Sequence, residues 1–252
     1  MTAFIKKEWM EQTRTGKLLI LGIIFIIFGI LNPAIAKLTP WLYEMLQEQF
    51  ADQGLLVGTV QITDITSWEQ FYKNTPILVI AFILLSSGIL TTEYQKGTLI
   101  QIVTKGLSRR KIFISKLFIS YFTWTLLYLV YTGITWGYTA YFWGNSVHDP
   151  VCGIMMYWLF GITIISFLMF FGAVCSNSGQ VILATGGIYF GMMLLGYIPS
   201  ISDKLPSFLM DGLNIMNGTK VISDFCGAII SAFLLILICD IMGVVVFDRR
   251  KL

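Results

Sequence analysis

The amino-acid sequence predicts an all-α polytopic membrane protein with six transmembrane helices. Only 12% of its 252 residues are charged, about half the usual share in a soluble domain, whereas 56% are hydrophobic. The mean hydropathy is +0.76. So few charged residues would not cover the surface of a soluble domain, and the apolar content excludes a disordered chain. The composition therefore identifies the bilayer as the solvent of this chain.

Six apolar segments are long enough to cross a bilayer as helices, which takes about 17–25 residues each. Only Asp240 places a full charge inside any of them. The segments are continuously apolar and do not alternate, which favours helices over barrel strands. We expect Pro76 and Pro150 to open two spans and Pro33 to kink or end the first. The predicted spans are residues 18–36, 76–92, 117–143, 151–174, 180–198 and 226–247.

The basic residues predict the orientation of the chain. Of the 17 lysines and arginines, 13 lie on one side of a six-span topology, within residues 1–17, 93–116 and 249–251. Because basic residues accumulate in cytoplasmic loops, both termini and the 93–116 loop are predicted to be cytoplasmic, in the plasma membrane. An even number of spans also requires the two termini to share one side, so the two predictions agree.

The first apolar segment has a second interpretation. A basic stretch, an apolar segment and Ala34-Ile35-Ala36 resemble a cleaved signal peptide. The long basic region contains Glu8 and Glu11, which argues against cleavage, so we expect a retained span. No repeat or second domain is visible, and residues 1–252 are predicted to form a single transmembrane domain.

Residues 37–75 form the longest predicted external loop. Thr39-Pro40 is a helix-start signal, and the apolar residues that follow recur at helical spacing. This pattern predicts a separate amphipathic helix on the outer membrane surface. Ser67-x-x-Gln70 is typical of a capping box at a further helix start.

Residues that usually carry catalysis or bind metals are scarce. The single histidine, His148, is interpreted as a surface residue, and no phosphate-binding Gly-x-x-x-x-Gly-Lys-Ser/Thr motif occurs. No Cys-x-x-Cys or paired His/carboxylate spacing suggests a metal site. A disulfide between Cys152 and Cys226 and ordinary free thiols both remain open. We therefore expect no catalytic, cofactor-binding or metal-binding residue on this chain, and the formal charge of +3 does not suggest nucleic acid as a partner.

Three features of the predicted spans have a structural and a functional interpretation. Asp240 is an intramembrane charge, which is a functional candidate by default but is also explained by a hydrogen bond to a neighbouring helix. Gly187-x-x-x-Gly191 is a small-residue motif for close helix packing, within the chain or across a dimer. The third span carries an aromatic stripe on one face, interpreted as packing or as one wall of a substrate path. Its members are Tyr121, Trp124, Tyr128, Tyr131, Thr135, Tyr138 and Phe142.

The cytoplasmic loop 93–116 is the most informative region of the sequence. Glu93 suits the start of a short helix, where its charge would meet the positive end of the helix dipole. Lys105-Gly106 predicts a turn, and Ser108 is a candidate N-cap of the helix that enters the third span. Enforcement of topology and binding of anionic lipid would explain the basic residues but not a helix–turn–helix with an apolar side.

The glutamate that ends the second span, Glu93-x-x-x-Gly97-Thr98, and Ser108-Arg109-Arg110 before Lys116 resemble type-2 ATP-binding-cassette (ABC) exporter permeases. The resemblance covers the six-span plan, whereas the sharp motif is confined to residues 93–116. It implies that this loop is a coupling helix docking on a separate ATPase, and that residues 1–17 form an interfacial elbow helix. The residues implied to shape the coupling helix or to engage the ATPase or nearby lipid are Glu93, Lys96, Gly97, Thr98, Lys105, Arg109 and Arg110.

The same resemblance implies the partners and the activity. Two permease chains, identical or homologous, would assemble with two ABC ATPase subunits in the lipid membrane. ATP and Mg²⁺ would bind to the ATPases and not to this chain. The expected function is export of a hydrophobic or amphiphilic cargo such as a peptide, a drug or a lipid-like compound. The alternatives are a stand-alone secondary carrier or channel, and a non-transporting membrane immunity protein.

Overall fold

The structure is a computed structural model that describes residues 2–51, 63–99, 104 and 107–250, and within these ranges it contains helices and no strand. Six helical stretches in the described ranges are long and apolar enough to cross a membrane: Lys17–Leu42, Asp64–Gln95, Arg109–Trp143, Pro150–Val174, Ser178–Leu195 and Ile222–Arg249. The predicted all-α polytopic fold is confirmed. The helices are α1 (Thr2–Arg14), α2 (Lys17–Ala51), α3 (Asp64–Ser86), α4 (Gly88–Gln95), α5 (Arg109–Trp143), α6 (Pro150–Val174), α7 (Ser178–Leu195), α8 (Leu213–Met216) and α9 (Cys226–Arg249).

The first span differs from its prediction because it does not end near Pro33. Helix α2 runs from Lys17 to Ala51 through both Pro33 and Pro40. The hydroxyl of Thr39 donates to the carbonyl oxygen of Ile35 at 2.7 Å, so it does not cap a new helix. The separate external helix predicted to begin at Thr39-Pro40 is therefore the outer part of α2. Proline is tolerated inside membrane-spanning helices because neighbouring groups satisfy the freed carbonyl oxygens.

The second span also begins earlier than predicted. Helix α3 starts at Asp64, so Pro76 lies within the helix and does not open it. The carboxylate of Asp64 accepts hydrogen bonds from the backbone N–H and the hydroxyl of Ser146, which joins this end of α3 to the segment after α5. Ser67 is inside α3, where its hydroxyl lies 2.7 Å from Thr139 Oγ1, so the predicted capping box is wrong.

Helix α6 is the centre of the bundle, and α7 and α9 lie at its periphery. In their most apolar stretches, 72% of the residues of α6 are buried, against 22% for α7 and 17% for α9. The peripheral helices expose large apolar side chains such as Leu183, Phe190 and Leu237. Because these faces are apolar, lipid or another membrane protein is the surface that suits them.

A close contact between α5 and α6 fixes the interior. Trp124 is 1% exposed, and its ring packs edge-on against Phe25 and Phe82. A Cβ atom at Gly161 on α6 would lie 2.1 Å from Trp124 Cζ2, so only glycine allows the indole ring to lie against this backbone.

The ends of several helices meet at one end of the bundle, which we call the basic end. It contains α1, the last turn of α4, the first turns of α5 and the last turn of α9. Gly16 joins α1 to α2 with φ +72°, a left-handed conformation that favours glycine. All four cysteines are free thiols.

Replacing Gly161 by Ala tests the packing against Trp124. Overpacking a filled interior costs about 1–3 kcal/mol, so we expect a lower melting temperature of the protein in detergent. The matched control is Gly133→Ala on α5, where an added Cβ meets nothing within 4 Å. The control is expected to unfold at or above the wild-type temperature, because alanine favours helix. A wild-type melting temperature for Gly161→Ala would contradict the packing.

Candidate functional site: the ion cluster at the basic end

Five charged side chains from three helices meet at the basic end, and we call them the ion cluster. Lys116 Nζ on α5 lies 2.7 Å from Glu8 Oε2 on α1 and 3.1 Å from Glu93 Oε1 on α4. Lys7 Nζ lies 3.0 Å from both Glu8 and Glu11 and 3.6 Å from Glu93. The side chains of Lys116, Glu8 and Glu93 are 3%, 8% and 8% exposed. The cluster therefore joins α1, α4 and α5 through ion pairs that are largely removed from solvent.

The position of Glu93 explains why it needs two cations. It was expected at the start of a short helix, but it lies in the last turn of α4. A carboxylate there faces the negative end of the helix dipole, which is unfavourable. Lys116 and Lys7 supply the opposing charge. Helix α4 ends just after Glu93, because Gly97 adopts φ +65° and turns the chain.

Lys116 connects three helices, because both carboxylates at hydrogen-bonding distance from it lie on other helices. It is the eighth residue of α5, about 10 Å above the first residue at 1.5 Å per residue. At the level of Lys116, α1 packs against α5 through one face, whose residues recur at i, i+4 spacing. Phe4 and Glu8 are buried there, and Gln12 Oε1 accepts a hydrogen bond from the hydroxyl of Thr123 on α5 at 3.1 Å.

The ion pairs shift the pKa values of the outer residues of the cluster. Burial opposes ionisation of Glu11, but the hydrogen bond from Lys7 and the positive charges of Lys7, Lys116 and Lys17 outweigh it, so the pKa of Glu11 is lowered from 4.5. Burial also opposes ionisation of Lys7, but its bonds to Glu11 and Glu8 and the charge of Glu93 raise its pKa above 10.5. Both groups are therefore charged at neutral pH.

The three carboxylates have an arrangement that resembles a metal site. Oxygen atoms of Glu8, Glu11 and Glu93 lie within 4.8 Å of one another. However, Lys7 Nζ lies within 3.6 Å of all three side chains, and Lys116 binds two of them. These two ammonium groups lie beside the carboxylates and balance two of their three negative charges.

A second group, which we call the C-terminal cluster, holds the end of α9 against the start of α5. Two nitrogen atoms of Arg110 lie 2.8 Å from Asp248 Oδ2, and Arg109 donates to the carbonyl oxygens of Asp248 and Arg250. The guanidinium of Arg250 lies 4.0 Å from the ring centroid of Tyr94 on α4. It also donates to carbonyl oxygens at the end of α6, which are Ala173 O at 2.7 Å and Cys175 O at 2.8 Å.

Lys96 and Gly97 form a turn beside the ion cluster, and Thr98 is helical. Lys96 and Gly97 are exposed, and Thr98 is half-buried. Ser108 precedes α5 in an extended conformation, but its hydroxyl makes no cap hydrogen bond. Lys105 lies outside the described residues, so its predicted role stays a prediction.

The aromatic stripe of α5 lies mainly in the interior. Trp124, Tyr128 and Tyr131 are each at most 1% exposed, and Tyr138 is 45% exposed. The hydroxyl of Tyr128 donates to Ile154 O at 2.9 Å, and that of Tyr131 donates to a carbonyl oxygen of α3. Tight burial among neighbouring helices favours the packing interpretation, and the three buried rings do not form the wall of an open path.

Asp240 and the glycine motif have clear surroundings. The hydroxyl of Tyr121 donates to Asp240 Oδ2 at 2.9 Å and lies 2.5 Å from Ser166 Oγ, which links α9, α5 and α6. This contact explains the intramembrane carboxyl group as a structural residue.

A Cβ atom at Gly187 or Gly191 would meet nothing within 4 Å. These glycines do not serve close packing within the described chain, and packing across a dimer stays a prediction.

Comparison with known families identifies the chain. A family model described as "ABC-2 family transporter protein" matches residues 2–252. The chain belongs to this ABC-2 family. The searches of curated proteins and of solved structures found no match. Membership makes this protein the transmembrane permease subunit of an ABC transporter and implies association with an ABC ATPase.

Several of the charged residues that organise this ABC-2 permease were missed by sequence reasoning. Glu8 and Glu11 were considered only as arguments against a signal peptide, and Asp248 was not singled out. Glu8 binds Lys116 and Asp248 binds Arg110 across 108 and 138 residues of the chain, so no local periodicity reports these two pairings. The available signal was Lys116 itself, a lone lysine between Phe113 and Leu117 at the start of an apolar span.

Replacing Lys116 by Met tests the ion cluster. The change keeps the length of the side chain but leaves Glu8 and Glu93 without their nearest cation. Breaking a buried ion pair costs about 3–5 kcal/mol, so the permease should unfold at a clearly lower temperature in detergent. Lys73→Met is the control, because Lys73 lies 3.9 Å from Glu69 in an exposed pair worth at most about 1 kcal/mol. Equal shifts for the two variants would contradict a special role of the cluster.

The lowered pKa of Glu11 predicts how the attachment of α1 depends on pH. The contribution of the Lys7–Glu11 pair is complete above pH 4.5 and is lost as the pH falls through the lower pKa of the folded protein. Amide hydrogen exchange in α1, corrected for intrinsic rates, should therefore accelerate below pH 4.5. Glu11→Gln should exchange faster than wild type at pH 6 and show a smaller acid effect. Identical pH profiles for both proteins would refute the assignment.

Proposed function

We propose that the chain is the membrane subunit of an ABC exporter and that residues 93–116 dock on a separate ATPase. Two permease chains and two ATPases form the complex in the plasma membrane, with both termini in the cytoplasm. ATP and Mg²⁺ bind to the ATPases. The observation that carries the proposal is the ion cluster, because it connects Glu93, where this loop leaves the bundle, to α1 and to α5.

The ion cluster supports a mechanism in which these three helices move together. Closure of the ATPases pushes on the exposed turn at Lys96 and Gly97. Separation of Lys116 from Glu8 and Glu93 would leave its buried ammonium group unpaired, which costs about 3–5 kcal/mol. A push on α4 therefore displaces α1 and α5 with it. Helix α5 has 35 residues, about 52 Å at 1.5 Å per residue, so it carries the displacement to the opposite end of the bundle.

The C-terminal cluster extends the same movement to the other helices. Asp248 ties the end of α9 to α5 through Arg110, and Arg250 ties it to the end of α6. The segment that meets the ATPase is thus held to most of the bundle at one level. This arrangement supports rigid-body rocking of a whole permease chain rather than bending of one helix.

Packing of the interior supports a cargo path between two chains. The space inside one bundle is filled by buried aromatic side chains, including Trp124 and Tyr128. The faces of α2, α7 and α9 remain exposed and apolar. A hydrophobic or amphiphilic cargo therefore crosses along surfaces that two chains present to each other. Glycines 187 and 191 lie on one of these helices.

Retention of an ATPase tests the proposal and distinguishes it from the alternatives. The tagged permease is co-expressed with the ABC ATPases of its own genome and purified in detergent, and the retained ATPase is measured. We expect wild type and the control Lys73→Glu to retain it and Lys96→Glu to retain about tenfold less. A permease that retains no ATPase would support a stand-alone carrier, a channel or a non-transporting immunity protein instead.

A charge swap between Arg110 and Asp248 tests the role of the C-terminal cluster. Arg110→Glu places two carboxylates opposite each other, and we expect transport per ATP hydrolysed to fall about threefold, in line with about 0.2–1 kcal/mol for an exposed ion pair. Adding Asp248→Arg recreates the pair in the opposite order. The double variant should recover most of the coupling in reconstituted vesicles. No recovery would mean that Arg110 acts outside this pair.

A further inference from the structure

A cleft of about 540 Å³ opens beside the ion cluster, between α1, the start of α2, the junction of α3 and α4, and α5. This volume lies in the range of small-ligand sites, about 300–1,000 Å³. Part of its wall is apolar, with Leu18, Leu21, Phe82 and Leu85. The rest is polar and includes the ion cluster. The cleft therefore suits an amphiphilic ligand.

One side of the cleft carries a cation without an ion partner. Lys17 begins α2 and is half-buried, and neither it nor the exposed Lys96 lies within 4.0 Å of a carboxylate in the described part of the chain. The ammonium group of Lys17 lies against the α3–α4 junction, 3.8 Å from where a Cβ atom at Gly88 would be. It is positioned to bind an anionic group inside the cleft.

The opposite charge is available in the same cleft. Glu93 Oε1 is bound by Lys116 and Lys7, whereas Glu93 Oε2 is buried and accepts no hydrogen bond. The ion cluster holds three carboxylates and two ammonium groups, so it has one negative charge in excess. A buried carboxylate oxygen without a donor is costly. Glu93 lines the cleft, so a rotation of its side chain toward the cleft would let a ligand N–H group remove that cost.

We propose that the cleft binds the headgroup of an aminophospholipid of the bilayer, with its phosphate at Lys17 and its primary ammonium at Glu93. Lys17 is the first residue of a membrane-spanning helix, so the cleft lies at the depth of the lipid headgroups. The acyl chains leave along the apolar side of the cleft. A choline headgroup has no N–H to donate to Glu93, and a glycerol headgroup has no ammonium to balance the excess charge. The bound lipid completes the attachment of α1 to α4 and α5.

Native mass spectrometry of the delipidated full-length protein in detergent tests this site. The protein is mixed with equal amounts of phosphatidylethanolamine, phosphatidylcholine and phosphatidylglycerol, and retained lipids are counted. We expect one phosphatidylethanolamine per chain to be retained in preference to the others. Lys17→Met, which keeps the apolar stem, should lower this retention about tenfold. Lys6→Met is the matched control, because Lys6 is exposed on α1 and does not line the cleft, and it should retain lipid like wild type.

A methylation series tests the ammonium half of the proposal on the wild-type protein, where folding is not in question. Phosphatidylethanolamine and its mono-, di- and trimethylated forms donate three, two, one and no N–H bonds. Retention should fall along the series. Equal retention along the series, preference for phosphatidylglycerol, or an unchanged Lys17→Met variant would overturn the proposal. Retention of Mg²⁺ in place of lipid, released by EDTA, would assign the carboxylates to a metal instead.

Discussion

The ammonium group of Lys116, held between Glu8 and Glu93, is the contact on which the arrangement of the basic end depends. Three helices, α1, α4 and α5, bring one charge each to a place that is largely closed to water. Burying these charges is unfavourable, and it is offset only while all of them stay together. The contact therefore contributes little to the free energy of unfolding. Its main effect is to fix the relative position of α1, α4 and α5. The proposed docking of an ATPase on residues 93–116 requires such a fixed arrangement of helices at this end of the bundle.

The filled interior imposes the second constraint. Trp124 lies against the backbone of Gly161, and Tyr128 and Tyr131 satisfy their hydroxyls on neighbouring helices, so the single bundle is a packed body. Because α7 and α9 leave most of their surface exposed, the chain offers its apolar faces outward. These features agree with membership of the ABC-2 family, in which the permease provides the path through the membrane and its partner ATPase hydrolyses ATP.

The six spans could be predicted from the sequence because the bilayer sets both their length and their polarity. Helix ends were less predictable where proline stood inside α2 and α3, since membrane helices accommodate it by tertiary contacts that leave no local signal. The loop 93–116 was singled out by its charges, and its role as a coupling helix stays a prediction. Glu93 was expected at the start of a helix but lies in the last turn of α4. Its true environment depends on Lys116 and Glu8, and pairing across about a hundred residues has no periodicity to detect.

In the proposed mechanism, α1 and α4 move as one unit because the ion cluster holds them together. Spin labels at the exposed Met10 and Gln95, in a cysteine-free variant assembled with its ATPase, report their separation by pulsed electron paramagnetic resonance. We expect the same distance distribution without nucleotide and with a trapped ATP analogue, and a nucleotide-dependent shift when Lys116 is replaced by Met. A shift of several ångströms with the wild-type Lys116 in place would contradict this mechanism.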